Sequence, residues 1–304
     1  MDKKQTIQRI KTDLMMLMVA FIWGSAFTAQ HLAGEHVGPY LIVGIRFVGA
    51  AVLLLFVIRF RFDLPRKVIW KCAGVGMLLF AASTLQQVAL TVSTVGNAGF
   101  ITGMYVVFLP IFLALFWRKR LKWNVWLAVL LVVTGLSLLT STGIQRFAFG
   151  DILLVGCAIL YAFQIIAVGD LVKTYDPVQV SIVQFFAAGI AGFVLSMFME
   201  NHTWHQIQAS FWPLMYMIFL ATGIAFTLQS VAQKNAEPTD AAIFFSMESV
   251  FAALVGVVYL GESFSPLQWF GGILMFTAMI LSQINFKAKQ QNAESLLNHA
   301  IEKR

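Results

Sequence analysis

The sequence predicts an all-α integral membrane protein with ten transmembrane helices, arranged as two inverted repeats of five. Three observations support this prediction. Ten apolar stretches fill residues 12–286, the Lys and Arg residues fall on alternate connections, and the two halves of the chain resemble each other. About twenty apolar residues cross the ~30 Å hydrocarbon core of a bilayer as a helix. So little chain lies outside these stretches that a soluble catalytic domain has no room.

The predicted spans are joined by short turns, several of which contain proline, as at Gly38-Pro39, Asp176-Pro177 and Glu237-Pro238. The first span follows a basic segment, as in a signal peptide. Its apolar run from Leu14 to Leu32 is longer than the 7–15 residues of a cleaved signal, so we expect a retained helix. In chain order the predicted spans are 12–33, 38–58, 68–90, 96–117, 122–141, 150–171, 177–199, 211–232, 239–260 and 265–286.

Composition agrees with a bilayer environment and argues against several function classes. Hydrophobic residues make up 59% of the chain and charged residues only 12%, about half the share in a soluble domain. The net charge of +7 comes from short basic clusters between spans, which suit lipid head groups, so no nucleic-acid partner is expected. Cys72 and Cys157 lie in separate spans, and neither they nor the histidines have metal-ligand spacing. We therefore expect no metal, no cofactor and no enzymatic activity.

The distribution of basic residues predicts the orientation. All 21 Lys and Arg residues except Arg46 and Arg146 fall at the N-terminus, at the C-terminus or on connections of the same side. Cytoplasmic connections carry the excess of Lys and Arg in membrane proteins. We expect a multi-pass protein of the cell membrane, of the bacterial inner-membrane type, with both termini cytoplasmic.

The chain also contains an internal repeat. Residues 37–56 align with 175–194 at an offset of 138, and residues 84–135 align with 227–278 at an offset of 143. Each repeat contains five spans, an odd number, so the second must be inverted relative to the first. Inverted repeats with a site between them at the bilayer midplane are typical of secondary transporters. The predicted division is repeat one at 13–141 (helices 1–5), repeat two at 150–286 (helices 6–10) and a cytoplasmic tail at 287–304.

Three motifs resemble the EamA group of the drug/metabolite transporter superfamily. Residues 21–27 (Phe-Ile-Trp-Gly-Ser-Ala-Phe) resemble its first helix, residues 97–110 its fourth, and residues 246–262, with Leu-Gly-Glu at their end, its ninth. The resemblance covers about residues 13–285. It implies a ten-helix fold of two inverted halves and the efflux or exchange of small metabolites. One departure is the turn after the fourth helix, where 117–120 is basic instead of Leu-Gly-Glu.

Two ionisable residues lie well inside predicted spans, Arg46 in the second and Glu248 in the ninth. Such residues cost about 2.5–3.5 kcal/mol in hydrocarbon and therefore tend to face the interior of the bundle. At 1.5 Å per residue their backbones differ in depth by roughly 9 Å. They either form a structural ion pair or line a substrate cavity. A carboxyl group in partly dry surroundings could also carry a coupling proton near neutral pH.

Uncharged polar and aromatic residues within spans extend this candidate site. Gln86 with Gln229, and Tyr105 with Glu248, occupy equivalent positions of the repeat. Each Gln could instead bond neighbouring helices, and Trp23 could instead face lipid. Tyr161 is a further candidate wall residue. The predicted substrate-binding residues are Glu248, Arg46, Gln86, Gln229, Tyr105, Gln164, Trp23 and Thr102.

We therefore predict a secondary transporter that exports or exchanges small polar or amphipathic metabolites, with amino-acid-like compounds as the first expectation. Its expected partners are a small-molecule substrate, membrane lipid and a coupling proton. The fifth and tenth spans carry few polar residues, which favours packing or a homodimer face. Pro110 predicts a bend in the fourth span. The alternatives are a channel-like facilitator and a membrane receptor or scaffold without transport activity.

Overall fold

A computed structural model describes residues 3–93, 95–121, 123–139, 149–260 and 265–283, and every regular element in these ranges is helical. Eight helical segments of this described part are long and apolar enough to cross a membrane. Two shorter apolar helices, Trp123–Leu138 and Trp269–Ala278, coincide with the predicted fifth and tenth spans. The predicted tail, 287–304, lies outside the described residues. The protein is therefore an all-helical, multi-pass membrane protein.

The helices are numbered α1 to α14 in chain order. In the first half they are α1 Lys3–Gly34, α2 Pro39–Val57, α3 Arg66–Ala89, α4 Val95–Gly103, α5 Tyr105–Leu115 and α6 Trp123–Leu139. In the second half they are α7 Phe149–Val172, α8 Pro177–Met199, α9 Trp204–Ala209, α10 Phe211–Tyr216, α11 Ala225–Gln233, α12 Pro238–Phe245, α13 Glu248–Leu260 and α14 Pro266–Gln283, with a π-helical segment at Met217–Ile224 between α10 and α11.

Two predicted spans are interrupted in the structure. Span 96–117 consists of α4 and α5, separated by Met104, and span 239–260 consists of α12 and α13, separated by two residues. α5 continues through Pro110, and the interruption of this span lies at Met104 instead, so a bend at Pro110 itself stays a prediction. A proline removes one backbone hydrogen bond, which a packed membrane helix tolerates. At the interruption the N–H of Met104 bonds to the carbonyl of Ile101 (3.1 Å), a tighter turn than that of an α-helix.

The predicted span 211–232 changes its helical type in the middle. Its central segment, Met217–Ile224, is π-helical, a conformation that shifts carbonyl groups out of the regular α-helical register. The carbonyl of Ala221 in this segment accepts a hydrogen bond from the indole Nε1 of Trp23 on α1 (3.1 Å). The π segment thus places a backbone acceptor against the first helix.

Helices of the two halves pack directly on each other. The most extensive contacts join α2 to α8, α6 to α14, α3 to α7 and α8, and α1 to α13. Glycines allow the closest of these approaches: a Cβ on Gly189 would lie 2.6 Å from the backbone N of Val48, and one on Gly135 would lie 2.6 Å from the carbonyl of Gly271. The α6–α14 packing uses the inner faces of the predicted fifth and tenth spans. A homodimer through their outer faces stays a prediction.

Candidate substrate cavity

The interior of the bundle contains a cavity enclosed by α1, α2, α3, α4, α5, α7, α11, α13 and the π segment. All eight residues predicted as substrate-binding lie on its wall. They come from both halves of the chain and include each ionisable residue that sequence reasoning placed inside a span. Substrate binding by these residues stays a prediction, but the fold brings them together in one place.

Residues of α1 and of α7 line the cavity with the same helical spacing. Residues three, four and seven positions apart share one face of a helix, so such a set can line one side of a cavity. Sequence reasoning missed Gln30 on α1, although it lies two turns from Trp23 on the same face, and it missed Phe226 on α11. The α1 wall is Trp23, Ala26, Phe27 and Gln30, and the α7 wall is Tyr161, Gln164 and Ile165.

Glu248 and Tyr105 meet on the wall of this cavity. Glu248 is the first residue of α13 and Tyr105 is the first residue of α5, so both side chains project from the points where predicted spans are interrupted. The Tyr105 hydroxyl donates a hydrogen bond to Glu248 Oε1 (3.2 Å), and both residues are buried. Their separation of 143 residues equals the repeat offset.

Arg46 lines the same cavity from α2 and is only 3% exposed. Its Nη1 donates to Gln30 Oε1 (3.2 Å), and its Cζ lies 4.7 Å from the ring centroid of Phe47. Among the described residues, Nε and Nη2 have no hydrogen-bond partner. No nitrogen of the Arg46 guanidinium comes within 4.0 Å of a described carboxylate, Glu248 included. The direct Arg46–Glu248 ion pair, one of the two alternatives expected from the sequence, is therefore absent from this conformation.

The glutamines both line the cavity and join helices. Gln229 Nε2 donates to Gln164 Oε1 (3.2 Å), and Gln164 Nε2 donates to Gln184 Oε1 (3.2 Å). Gln86 Nε2 donates to Thr102 Oγ1 (3.3 Å). The two interpretations of these amides are therefore compatible, because each of the three predicted glutamines holds a neighbour while facing the cavity.

Trp23 faces the interior rather than lipid. Besides its bond to the π segment, its ring packs on Phe226 with centroids 4.7 Å apart and on Phe245 at 5.4 Å. Tyr161, which also lines the cavity, bonds through its hydroxyl to Ser83 Oγ (3.1 Å). The cavity therefore combines aromatic walls with one guanidinium, one carboxyl group and several amides. Such a lining suits a small amphipathic molecule.

Comparison with known proteins identifies the family. The sequence model of the EamA-like transporter family matches this chain twice, over residues 10–141 and 148–283. The chain belongs to the EamA-like transporter family.

Relatives agree with this assignment, and a solved structure shares the fold. An uncharacterized transporter of Archaeoglobus fulgidus is 32% identical over 90% of this chain and 86% of the relative. The uncharacterized inner membrane transporter YedA of Escherichia coli is 24% identical over 86% of this chain and 87% of the relative. One crystal structure shares the fold with a TM-score of 0.75 at 16% identity, covering 90% of this chain and 96% of the other.

The cavity of this EamA-like protein is narrow in the conformation described. About 30 Å³ of it is open to the centre of a water molecule. A single water molecule, taken as a sphere, itself occupies on the order of 10–15 Å³. The cavity therefore has room for a few water molecules in this conformation.

A second pocket lies at the C-terminal ends of α1 and α3, with about 180 Å³ open to water centres. Its lining residues are Gln30, His31, Gly34, Glu35, Gln87, Leu90 and Thr91. Gln30 belongs to both pockets of this family member. Gln87 Nε2 donates to the backbone carbonyl of Gln30 (3.0 Å), so a short hydrogen-bonded group separates the cavity from the end pocket.

Proposed function

We propose that this protein is a secondary active transporter that exports or exchanges small polar or amphipathic metabolites, amino-acid-like compounds first among them, by alternating access. The observation that carries the proposal is the buried polar cavity between two interrupted helices, with Glu248 and Tyr105 at the interruptions. Discontinuous membrane helices of this kind form the substrate and ion sites of many transporters.

An inverted repeat of five plus five helices accounts for the pairwise packing. An offset of 138 makes α1 equivalent to α7, and an offset of 143 makes α3 equivalent to the span formed by α10, the π segment and α11. The contact of α3 with α7 then has a counterpart in the contact of α1 with that span, as the repeat requires. The two matches to the family model, one for each half, also support this division.

Ten crossings follow if the two short helices also span the bilayer. α6 has 17 residues and α14 has 18, which at 1.5 Å per residue gives lengths of roughly 26 and 27 Å. These lengths lie at the lower end for a transmembrane helix. With ten crossings and the observed distribution of basic residues, both termini are cytoplasmic, in a membrane of the bacterial inner-membrane type.

Alternating access explains the narrow cavity better than a continuous pore does. A cavity that holds only a few water molecules must widen toward one side to take up substrate and toward the other to release it. Glu248 is the candidate proton carrier, because it is the buried carboxyl group that lines this cavity. Proton uptake there would change the charge of the site during each cycle.

Flux measurements on the purified protein in liposomes test this function. A panel of radiolabelled amino acids is offered with and without a proton gradient, and with and without unlabelled compound inside. A secondary transporter accumulates its substrate transiently by counterflow, saturates, and responds to a protonophore or to trans substrate. Non-saturating equilibration without counterflow would indicate a channel-like facilitator. No flux of any compound above that of empty liposomes would refute the proposal for this substrate class.

A further inference from the structure

The bonding of Arg46 is incomplete for a buried cation. A guanidinium carries five N–H donors in a planar fork. In the described part of the chain it donates from Nη1 to the neutral amide oxygen of Gln30, and Nε and Nη2 are buried with no acceptor at full hydrogen-bond distance and angle. The Tyr161 hydroxyl is a second, weaker hydrogen-bonding neighbour of the guanidinium, and it is a neutral group that also bonds to Ser83.

The missing interaction is one that an anion supplies. Burial of a charge is unfavourable unless it is paired and hydrogen-bonded, and the contact with the Phe47 ring is only a weak substitute for an anion. The fork of an arginine matches a carboxylate with two parallel hydrogen bonds. No described side chain offers such a group, because Glu248 stays more than 4.0 Å away. The remaining place for an anion is the cavity that Arg46 lines.

We propose that Arg46 binds the carboxylate of the transported molecule and that this carboxylate displaces the side chain of Gln30. The inference rests on the proposed function and narrows its substrate class to organic acids, amino acids among them, with an apolar part for the aromatic walls. Arg46 is then the group that selects acids over their neutral analogues.

Gln30 links the proposed carboxylate site at Arg46 to the end pocket at the C-terminal ends of α1 and α3. Its side chain bonds to Arg46, its backbone carbonyl bonds to Gln87, and it lies between the cavity and the end pocket. A carboxylate on Arg46 removes the first of these bonds and frees the Gln30 side chain to turn away. Substrate binding therefore loosens the barrier at the C-terminal ends of α1 and α3, the outer side in the proposed orientation.

The first test compares acids with their amides on the full-length protein. The probes are L-phenylalanine with L-phenylalaninamide, L-leucine with L-leucinamide, and two acids without an ammonium group, 3-phenylpropanoate and succinate. Loss of a charge-assisted pair should weaken binding of an amide by about tenfold to a hundredfold. Thermal stabilisation and counterflow report binding and transport.

Three variants assign this preference to Arg46. Arg46→Gln should lose the preference for acids over amides, and Arg46→Lys should keep this preference with weaker binding. Arg61 is an exposed arginine, so Arg61→Gln is the matched control and should behave as wild type. Equal binding of acids and amides by wild type would overturn the inference and leave the proposed transport standing. Transport of none of the probes would refute both.

The melting temperature without added ligand tests whether Arg46 has a purely structural role. Because the guanidinium is incompletely paired, Arg46→Met should leave the melting temperature of the protein without added acid unchanged or higher. It should also remove the stabilisation by acid that wild type shows. A lower melting temperature for Arg46→Met would mean that Arg46 holds the fold together, and would overturn the inference.

The role of Gln30 is tested by labelling Ala26→Cys, on the cavity wall, in a Cys72→Ala/Cys157→Ala background. An impermeant thiol reagent added from outside should react severalfold faster when L-phenylalanine or another acid that binds is present. Gln30→Ala should react quickly without acid and should bind that acid more tightly. Labelling that is insensitive both to acid and to Gln30→Ala would refute displacement of Gln30.

Discussion

Replacing Glu248 with Gln separates the two roles that a buried carboxyl group can have in this cavity. Glutamine has nearly the same shape and keeps an oxygen that can accept the hydrogen bond from Tyr105, which in wild type spans 3.2 Å. It cannot take up or release a proton. The variant should therefore fold and bind substrate, and its flux should no longer depend on the pH difference across the membrane.

The structure sets the size of the stability change. A hydrogen bond to a charged group contributes about 1.5–3 kcal/mol and one between neutral groups about 1 kcal/mol, so Glu248→Gln should cost on the order of 1 kcal/mol. If Glu248 were paired directly with Arg46, removing one partner would cost about 3–5 kcal/mol. Because the two groups lie more than 4.0 Å apart, we expect the smaller value.

Thermal or chemical unfolding in detergent and counterflow at several pH values are measured on the same preparations. The double variant Arg46→Met/Glu248→Gln should show little coupling in stability between its two changes. Tyr105→Phe is the matched control, since it removes the same hydrogen bond but leaves the carboxyl group in place. A loss of several kcal/mol in Glu248→Gln that Arg46→Met restores would refute our reasoning and indicate an ion pair. A stable variant with wild-type pH dependence would exclude Glu248 as the proton carrier.

Three further predictions concern helix packing, the amide chain and topology. A Cβ on Gly24 would lie 2.6 Å from the carbonyl of Glu248, so Gly24→Ala should lower the free energy of unfolding by about 1–3 kcal/mol and reduce transport. Gly74→Ala is the control: no atom lies within 4 Å of its added Cβ, so this variant should unfold like wild type. Gln164→Leu leaves buried Gln229 Nε2 without its acceptor and should destabilise the protein by about 1–3 kcal/mol in an unfolding assay, whereas exposed Gln208→Leu should not. In a Cys72→Ala/Cys157→Ala background, Gln206→Cys should react with an impermeant thiol reagent from outside and Lys119→Cys only from inside; reaction of both from the same side would contradict the predicted orientation.

The cavity residues could be predicted because membrane interiors penalise polar groups strongly. Arg46 and Glu248 are costly in hydrocarbon, so a position facing the interior of the bundle follows from sequence alone. The repeat offset then suggested Gln86, Gln229 and Tyr105 as companions, and in the structure all eight predicted residues line one cavity. Gln30 was missed because a glutamine close to the end of a span carries little signal. Its helical spacing from Trp23 could have found it.

The interruptions of two spans could not be predicted for a different reason. Residues 96–117 and 239–260 are predominantly apolar, and neither sequence has a proline at its interruption, although Gly103 precedes the first interruption and Ser246 lies in the second. What permits an interruption is tertiary, because neighbouring groups satisfy the backbone: Ser249 Oγ, for example, donates to the carbonyl of Gly99 (2.9 Å). Sequence periodicity records apolar faces and does not record such partners.

In the proposed inverted repeat, Tyr105 and Glu248 are equivalent residues, so a hydrogen bond between them must lie close to the axis that relates the two halves. A contact on the axis belongs to both halves equally. Movement of one half against the other therefore strains this bond in whichever direction the cavity opens. Loss or gain of a proton by Glu248 changes the same bond, because the phenol donates more strongly to a carboxylate than to a neutral acid. In the proposed transport cycle, one titrating group at this position acts on inward and outward opening alike, which is what coupling by a single proton site requires.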